Sequence, residues 1–180
     1  MIEVRRIQLP LSADDRALLR AGDEVLLTGP CFTARDATMG RLVELVSTEG
    51  ALPQYLQGHT LFFAGPTPPH PGNPGHPFGS IGPTTANRMD GTQIELMSFG
   101  LKDSLGKAAR GEAYKQAARE HEAVFFTAIG GAAAVLARHV MASEVIAWPE
   151  LGTEALMRLE LEDFPAIVAI DAQGGDVYER

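Results

Sequence analysis

The sequence predicts a mixed α/β fold, and three observations support that prediction. Short apolar runs typical of buried strands alternate with segments whose apolar residues recur at helical spacing. Hydrophobic residues make up 45% of the chain and charged residues 21%, which is enough apolar material for a folded core. The length of 180 residues corresponds to roughly one domain at about 150 residues per domain. We therefore expect a single domain over residues 1–180 with a mixed sheet.

Local turn chemistry predicts the first helix and the first long strand. Ser12 is followed by Asp14 and Asp15, and a serine cap with negative charge in the first turn is typical of a helix start. A Gly-Asp pair then favours a turn. The apolar run at residues 24–28 predicts a buried strand directly after it.

A longer helix and a second strand follow in the chain. Apolar residues recur at helical spacing over residues 34–46, and Gly50 and Pro53 predict the end of that helix. The run at residues 61–64 is again short, apolar and aromatic, which predicts a second buried strand.

Residues 65–83 have a different composition from the rest of the chain. They contain seven of the twelve prolines and five glycines, so we expect no regular structure there. One interpretation is a surface linker. We favour the other, a stiff wall of an active site, because prolines fix the backbone of a loop that leads directly into a polar, hydroxyl-bearing run.

The second half of the chain again alternates strands and helices. We predict strands at residues 123–128, 145–148 and 166–170, each apolar and bounded by glycine, proline or polar turn residues. Residues 132–139 form an alanine-rich run and residues 151–158 have helical character, so we predict a helix in each.

Charge and composition exclude several classes of function. The net charge of −8 and the pI near 5.1 argue against a nucleic-acid-binding protein, which needs a basic surface. No apolar run approaches the roughly 18 residues of a membrane span, and the first residues lack the apolar stretch of a signal peptide. We therefore expect a cytoplasmic protein with no nucleic-acid or membrane partner.

Metal binding by this chain alone is not expected. Cys31 is the single cysteine, so the chain can form no internal disulfide and Cys31 cannot by itself hold a zinc ion or an iron–sulfur cluster. His70 and His76 lie in the proline-rich loop with no residues nearby to complete a ligand set. We interpret them as solvated loop residues and Cys31 as a small packed side chain.

Three basic residues stand where predicted elements meet loops: Arg35, Arg88 and Lys107. If they converge, they form an anion site, because arginines bind carboxylates with two hydrogen bonds and a lysine adds a compact charge. The alternative is that they are three ordinary surface residues, and sequence spacing alone does not decide between the two.

Two further pairs leave alternatives open. Thr84 and Thr85 follow a Gly-Pro pair, where threonine commonly caps the next helix, and a hydroxyl alone is a weak general base. Gly130 and Gly131 stand between a predicted strand and helix, where backbone N–H groups could bind an anion, or where glycine permits close packing. Their spacing matches neither a dinucleotide-binding motif nor a P-loop.

Short motifs along nearly the whole chain resemble the β part of iron–sulfur-dependent class I fumarate hydratases and, in part, the β subunits of L-tartrate dehydratase. In chain order, these motifs are TARDA at 33–37, GPTP at 65–68, GPTT at 82–85 with RMD at 88–90, GK at 106–107, GGAA at 130–133, LGTEA at 151–155 and EDFPA at 162–166. Any one motif is weak, but the ordered set is specific.

The resemblance implies a fold, a reaction and a partner. The fold is a swivelling β/β/α domain, and the reaction is the reversible hydration of a C4 dicarboxylate, fumarate to malate. In the family, a separate α domain or subunit carries three cysteines that hold a [4Fe-4S] cluster, whose open iron acts as a Lewis acid. This chain then corresponds to the β subunit, active only with its α subunit, in an enzyme made of two αβ units.

The resemblance also implies roles for individual residues. Arg35 and Arg88 bind the substrate carboxylates, with Gly130 and Gly131 also at the substrate. Thr84 abstracts the proton next to a carboxylate, and Thr85 and Lys107 complete the catalytic set.

Some positions depart from the family pattern. Met39 stands where the family usually has a histidine, and Ala108 stands where many members have a glycine after the lysine. The insertion at residues 70–77 is also unusually elaborate. The substrate could therefore be tartrate or a mesaconate-type diacid. Met39 and Ala108 also leave open that the chain is a non-catalytic dicarboxylate-binding paralogue. A third alternative is an α/β domain whose glycine loops bind a phosphorylated ligand.

Overall fold

A computed structural model describes residues 4–179 and contains nine strands and five α-helices within that range. The strands are β1 (Arg5–Gln8), β2 (Glu24–Thr33), β3 (Thr60–Phe62), β4 (Ala64–Pro66), β5 (Ile81–Pro83), β6 (Ser104–Gly106), β7 (Phe125–Thr127), β8 (Val140–Ala147) and β9 (Leu156–Ile170). The α-helices are α1 (Ala13–Leu18), α2 (Asp36–Glu49), α3 (Asp90–Met97), α4 (Glu112–Glu120) and α5 (Ala133–Leu136). Short 3₁₀ helices cover Ala86–Met89, Ala137–His139 and Pro149–Glu154.

Seven strands form one mixed sheet in the order β1-β2-β3-β6-β7-β9-β8. The strands from β1 to β7 in this sheet are parallel to their neighbours, whereas β9 runs antiparallel to β2, β7 and β8. Because β9 pairs with both β2 and β7, the pairings close a ring of five strands: β2, β3, β6, β7 and β9. The prediction of a mixed α/β fold is confirmed.

Alternating side chains of the short parallel strands enter two separate hydrophobic clusters. Phe62 and Phe126 belong to one cluster, together with residues of β1, β2 and β9. Leu61, Phe63 and Phe125 belong to the other, which is built largely from α2, α3 and α4. This period of two is the expected result of a strand buried on both faces.

The capping signals predicted the first two helices correctly. The Ser12 hydroxyl accepts a hydrogen bond from the Asp15 N–H, and the Asp15 carboxylate accepts one from the Ser12 N–H in return, so α1 begins with a capping box. Gly50 ends α2 in the left-handed conformation (φ 71°), as its position predicted.

Three predicted segments differ from the structure. Residues 156–158, predicted to be helical, are the start of β9, because hydrogen bonds to β2 and β8 outweigh the local pattern. The run at 132–139 gives only the four residues of α5 and a 3₁₀ turn. The ends of the 65–83 loop are regular, because β4 and β5 pair there antiparallel.

No helix within residues 4–179 has both the length and the apolar composition that a membrane crossing requires.

Candidate functional site at the carboxyl edge of the sheet

Four neighbouring parallel strands end at the same edge of the sheet. Arg35 follows β2, Gly65 follows β3, Lys107 follows β6 and Gly130 follows β7. In open parallel sheets, ligands bind beyond the carboxyl ends of the strands. The topology therefore gathers residues that are up to 95 positions apart (130 − 35) at one edge.

Arg35 lies at the N-terminus of α2 and is held by residues of another element. Its Nη2 atom lies 3.6 Å from Oε1 of Glu154, and both side chains are about a quarter exposed. The other oxygen of that carboxylate accepts a hydrogen bond from the Ala37 N–H at 2.8 Å, so Glu154 also caps α2. The Nε atom of Arg35 is buried without a hydrogen-bond partner.

Gly65 provides the space in which the Arg35 side chain lies. A Cβ atom placed on Gly65 would stand 2.9 Å from Nη1 of Arg35 and 3.3 Å from its Cδ atom. Any larger residue at this position would therefore displace the guanidinium. The GPTP motif therefore needs glycine at position 65, because the Arg35 side chain packs directly against its Cα atom.

Arg88, in the 3₁₀ helix Ala86–Met89, extends towards the N-terminus of α2, where Arg35 lies. Its Nη2 atom lies 3.3 Å from Oδ2 of Asp36, the residue next to Arg35, and both side chains are about half exposed. Exposed ion pairs of this kind contribute little to stability. A competing carboxylate can therefore replace Asp36 at small cost.

Thr84, Thr85 and Lys107 are held together by backbone hydrogen bonds. The N–H and the hydroxyl of Thr84 both donate to the Phe63 carbonyl, at 2.7 and 3.0 Å. The Lys107 N–H donates to the Thr84 carbonyl at 3.1 Å, and Thr85 and Lys107 form a parallel bridge. Thr85 stands at the N-cap position of the following 3₁₀ helix, but its side chain makes no capping hydrogen bond.

Lys107 also lies against Gly130. A Cβ atom on Gly130 would stand 3.5 Å from Cδ and 3.9 Å from Nζ of Lys107, so the lysine side chain passes over this glycine. Gly131 adopts a left-handed conformation with φ 84°. The helix that follows, α5, has only four residues, which is too short for the strong N-terminal anion site that sequence reasoning had left open.

Arg110, a buried arginine that the sequence analysis did not single out, holds the segments that carry Arg88 and Lys107 together. Arg110 donates to Asp90 at 2.5 Å and to Gln93 at 2.8 Å, and its side chain is fully buried. Its guanidinium carbon lies 3.3 Å from the centre of the Tyr114 ring. Burial raises the pKa of Tyr114, so its hydroxyl stays neutral beside the cation.

The Arg110–Asp90 pair connects the two segments that carry candidate residues. Asp90 stands two residues after Arg88, and its second oxygen accepts the Gly111 N–H at 2.7 Å, four residues after Lys107. The sequence signal for this pair is weak: Arg110 stands three residues after Lys107, and sequence spacing does not reveal Asp90 as its partner.

Residues 4–179 contain no group of three or more His, Cys, Asp or Glu side chains arranged to hold a metal ion. Cys31 is buried in the sheet, and burial raises the pKa of its thiol, which disfavours the thiolate that a cluster needs. The Nδ1 atom of His76 is hydrogen-bonded to the Phe78 carbonyl within its own loop. The described residues therefore do not fit an iron–sulfur cluster.

The fold belongs to the class of carboxyl-terminal domains of fumarases. The chain belongs to the Fumarase C-terminus family, whose model matches residues 2–180. The family resemblance seen in the sequence is confirmed.

Individual relatives agree with this family assignment. The chain is 40% identical over 158 residues to the anaerobic class I fumarate hydratase of Escherichia coli strain K12, covering 86% of this chain and 28% of that protein. It is 35% identical to fumarate hydratase 2 of Leishmania major, covering 88% and 28% of the two chains. It is 33% identical over 171 residues to the L(+)-tartrate dehydratase subunit beta of Escherichia coli strain K12, covering 93% and 83%.

Proposed function

We propose that this chain is the β subunit of a hydro-lyase that hydrates fumarate to malate reversibly, together with an α subunit. The observation that carries the proposal is the grouping of Arg35, Arg88 and Lys107 beside Thr84 at one sheet edge, in a chain of the fumarase family. Three cations in an acidic protein fit a small dianion.

The two arginines would bind the two substrate carboxylates. Arg35 is paired with Glu154 at 3.6 Å and Arg88 with Asp36 at 3.3 Å. A dianion enclosed by a second polypeptide loses its hydration, and bidentate arginine pairs offset that loss. The arginines therefore have to exchange or share their present partners when the substrate binds.

Thr84 would move the proton bound to the substrate carbon. Its own hydroxyl proton points to the Phe63 carbonyl, so the oxygen lone pairs are free for another partner. A neutral hydroxyl is a weak base and has to act with a second group. Lys107, joined to Thr84 and Thr85 through the backbone, is the candidate. As a cation it would stabilise the alkoxide form of Thr84, which takes up the carbon-bound proton and becomes the hydroxyl, and the arginine charges would stabilise the carboxylate that gains charge.

The family's iron–sulfur cluster, when bound, supplies Lewis-acid chemistry at the substrate hydroxyl. Because residues 4–179 do not fit such a cluster, we assign it to the α subunit and assign no step through it to this chain. In this proposal, the active site lies between the two polypeptides, with the carboxylate-binding groups on this one, and two αβ units make up the enzyme.

The relatives support fumarate as the substrate, and one of them is a β subunit, which supports an α partner. Identity is higher to the class I fumarate hydratase (40%) than to the tartrate dehydratase subunit (33%). The chain spans 28% of the length of that fumarate hydratase but 83% of the tartrate dehydratase subunit beta. L-Tartrate is therefore the second candidate substrate.

The decisive experiment is anaerobic reconstitution with the α polypeptide, the partner that covers the part of class I enzymes this chain does not span. Loss of the fumarate double bond is followed by ultraviolet absorbance, and L-tartrate is tested in parallel. We expect fumarate turnover only when both polypeptides are present. Turnover of tartrate but not of fumarate would make L-tartrate the substrate. Absence of turnover with both diacids would contradict the proposal.

A further inference from the structure

The carboxylate of Glu154 contacts both the backbone of α2 and the side chain of Arg35. Glu154 ends the 3₁₀ helix Pro149–Glu154, and its Oε2 atom accepts the Ala37 N–H at 2.8 Å. Its Oε1 atom lies 3.6 Å from Nη2 of Arg35. The backbone of α2 therefore fixes this anion in place, and Arg35 stands beside it as the N-cap residue of the same helix.

The backbone around Glu154 is anchored to neighbouring elements. The Glu154 carbonyl accepts a hydrogen bond from the hydroxyl of Thr38 in α2. The hydroxyl of Thr33, the last residue of β2, donates to the Ala155 carbonyl and accepts the Met157 N–H, both at 3.1 Å. Both threonines are buried. The segment that carries Glu154 is therefore tied to the end of β2 and to the first turn of α2.

The Arg35 guanidinium is confined from two directions. Its Nη1 and Cδ atoms pack against Gly65, and the carbonyl of Thr153, the residue before Glu154, lies 3.5 Å from the same Cβ position on that glycine. Its Nη2 atom faces Glu154 at 3.6 Å, which is longer than a hydrogen bond. The attraction of Glu154 therefore orients the guanidinium without using up its N–H groups.

The two arginine pairs of the candidate site differ in exposure. The side chains of Arg35 and Glu154 are 26% and 23% exposed, whereas those of Arg88 and Asp36 are 46% and 48% exposed. Water and salt screen the attraction less in the less exposed pair. Asp36 can give way to a competing carboxylate, but Glu154 is held by α2 and stays beside its arginine.

We propose that Glu154 is a positioning residue that holds the Arg35 guanidinium ready for a substrate carboxylate and remains beside it when the substrate binds. This inference rests on the proposed function, since it takes Arg35 to bind the diacid. A long side chain that is already ordered costs the substrate less binding free energy. Because Glu154 acts through Arg35 and not on the reacting atoms, loss of its charge should change KM more than kcat.

The test variant is Glu154→Gln, assayed in the enzyme reconstituted with the α polypeptide. The glutamine oxygen can still accept the Ala37 N–H, and the NH₂ group then faces the guanidinium without attraction. We expect KM for fumarate to rise roughly three- to tenfold and kcat to change less than about twofold. The denaturant midpoint should match the wild type, because the helix cap is kept.

The matched control is Glu150→Gln in the same 3₁₀ helix. The Glu150 carboxylate lies 3.9 Å from Nη2 of Arg41, so this variant also removes one acid beside an arginine, but away from Arg35. We expect KM, kcat and the denaturant midpoint of Glu150→Gln to equal those of the wild type.

A measurement on this chain alone separates positioning from substrate binding. Nuclear magnetic resonance of the ¹⁵N-arginine-labelled chain gives the order parameter of the Arg35 Nε–H bond, whose nitrogen is buried. We expect Glu154→Gln to lower this order parameter from about 0.85 to below about 0.6, and Glu150→Gln to leave it unchanged.

Several outcomes would overturn the inference. An unchanged KM or an unchanged order parameter in Glu154→Gln would leave Glu154 as a helix cap only. A lower KM would mean that Glu154 competes with the substrate for Arg35. Equal effects of both glutamine variants would assign the change to overall charge. If the wild-type enzyme does not turn over fumarate, the proposed function fails, and the order parameter alone decides whether Glu154 positions Arg35.

Discussion

Ala108 carries a conformational cost beside the candidate lysine. Its φ is 68°, in the left-handed region that costs an alanine roughly 1–2 kcal/mol. The families that the motifs resemble often have glycine at this position, which adopts that conformation freely.

We therefore expect Ala108→Gly to raise the free energy of unfolding by about 0.5–1 kcal/mol, because relief of strain exceeds the added entropy of the unfolded chain. Chemical denaturation monitored by circular dichroism measures this change. The control is the exposed neighbour Ala109, which has no positive φ. Ala109→Gly should be neutral or destabilising, and equal gains from both variants would contradict the argument.

Thr84 tests the chemical step of the proposed reaction. In the reconstituted enzyme, Thr84→Ala should lower kcat by about 10²–10⁴-fold, the usual contribution of a proton-transferring group. Association with the α polypeptide should be unchanged, since the main-chain bonds of Thr84 to Phe63 and Lys107 remain. Thr48→Ala, on the exposed surface of α2, is the control. Near-normal turnover in Thr84→Ala would remove the threonine from the mechanism.

Arg88 tests substrate binding. Arg88→Lys keeps the charge but loses the two parallel hydrogen bonds to a carboxylate, so KM for fumarate should rise about tenfold or more, with a smaller change in kcat. Arg41→Lys is a matched control, because both arginine side chains are 46% exposed and paired with surface carboxylates. If both variants raise KM equally, the effect comes from overall charge and not from a binding contact.

At the scale of elements, Gly65 in β4 sets the position of the Arg35 side chain. A methyl group at Gly65 would push against Nη1 and Cδ of Arg35, which lie 2.9 and 3.3 Å from its place. Gly65→Ala should therefore raise KM severalfold while the unfolding transition shifts by at most about 1–2 kcal/mol. In Gly40→Ala, the new methyl group has no atom within 4 Å, and KM should stay at the wild-type value. An unchanged KM in Gly65→Ala would mean that Arg35 does not bind the substrate from this position.

Local signals predicted elements where the deciding contacts lie within a few residues. The Ser12 cap and the Gly50 stop are of this kind, and both ends were correct. The helix predicted for residues 156–158 was wrong because the strands that pair with them, β2 and β8, are distant in sequence. The β4–β5 hairpin was missed because its strands are separated by a loop rich in proline and glycine.

The same limit applies to the candidate site. The residue types of Arg35, Arg88 and Lys107 suggested an anion site, but the parallel order of the strands brings Arg35 and Lys107 to one edge, and a contact with Asp36 brings Arg88 there. Glu154 and Arg110 were not recognised, since each acts through a contact across elements. The roles proposed for all of these residues stay predictions until the variants are measured.

At the scale of the whole molecule, His59 links stability to pH. Its ring packs edge-on against Phe32 at 5.2 Å, and burial lowers the pKa of His59 below its ordinary value of 6.5. Because the unfolded chain takes up this proton first, the contribution is fully present above pH 6.5 and is lost as the pH falls towards the lower pKa of the folded state.

We expect the free energy of unfolding to decrease between pH 7 and pH 5, and His59→Gln to flatten that decrease. Denaturant titrations at half-unit pH intervals measure the two slopes, with pH 8 as the reference where the histidine is neutral in both states. Identical slopes for the wild type and His59→Gln would assign the acid sensitivity to other groups.

The long antiparallel strand β9 closes the ring by pairing with both β2 and β7. A closed ring has no free edge along which neighbouring strands can separate, so we expect the sheet edge that carries the candidate site to be rigid. In the proposed two-chain enzyme, entry of the diacid and release of the product would then depend on the two polypeptides separating and closing again. Turnover in such an enzyme would be limited by this breathing motion, and solvent viscosity would slow it even though the chemistry stayed the same.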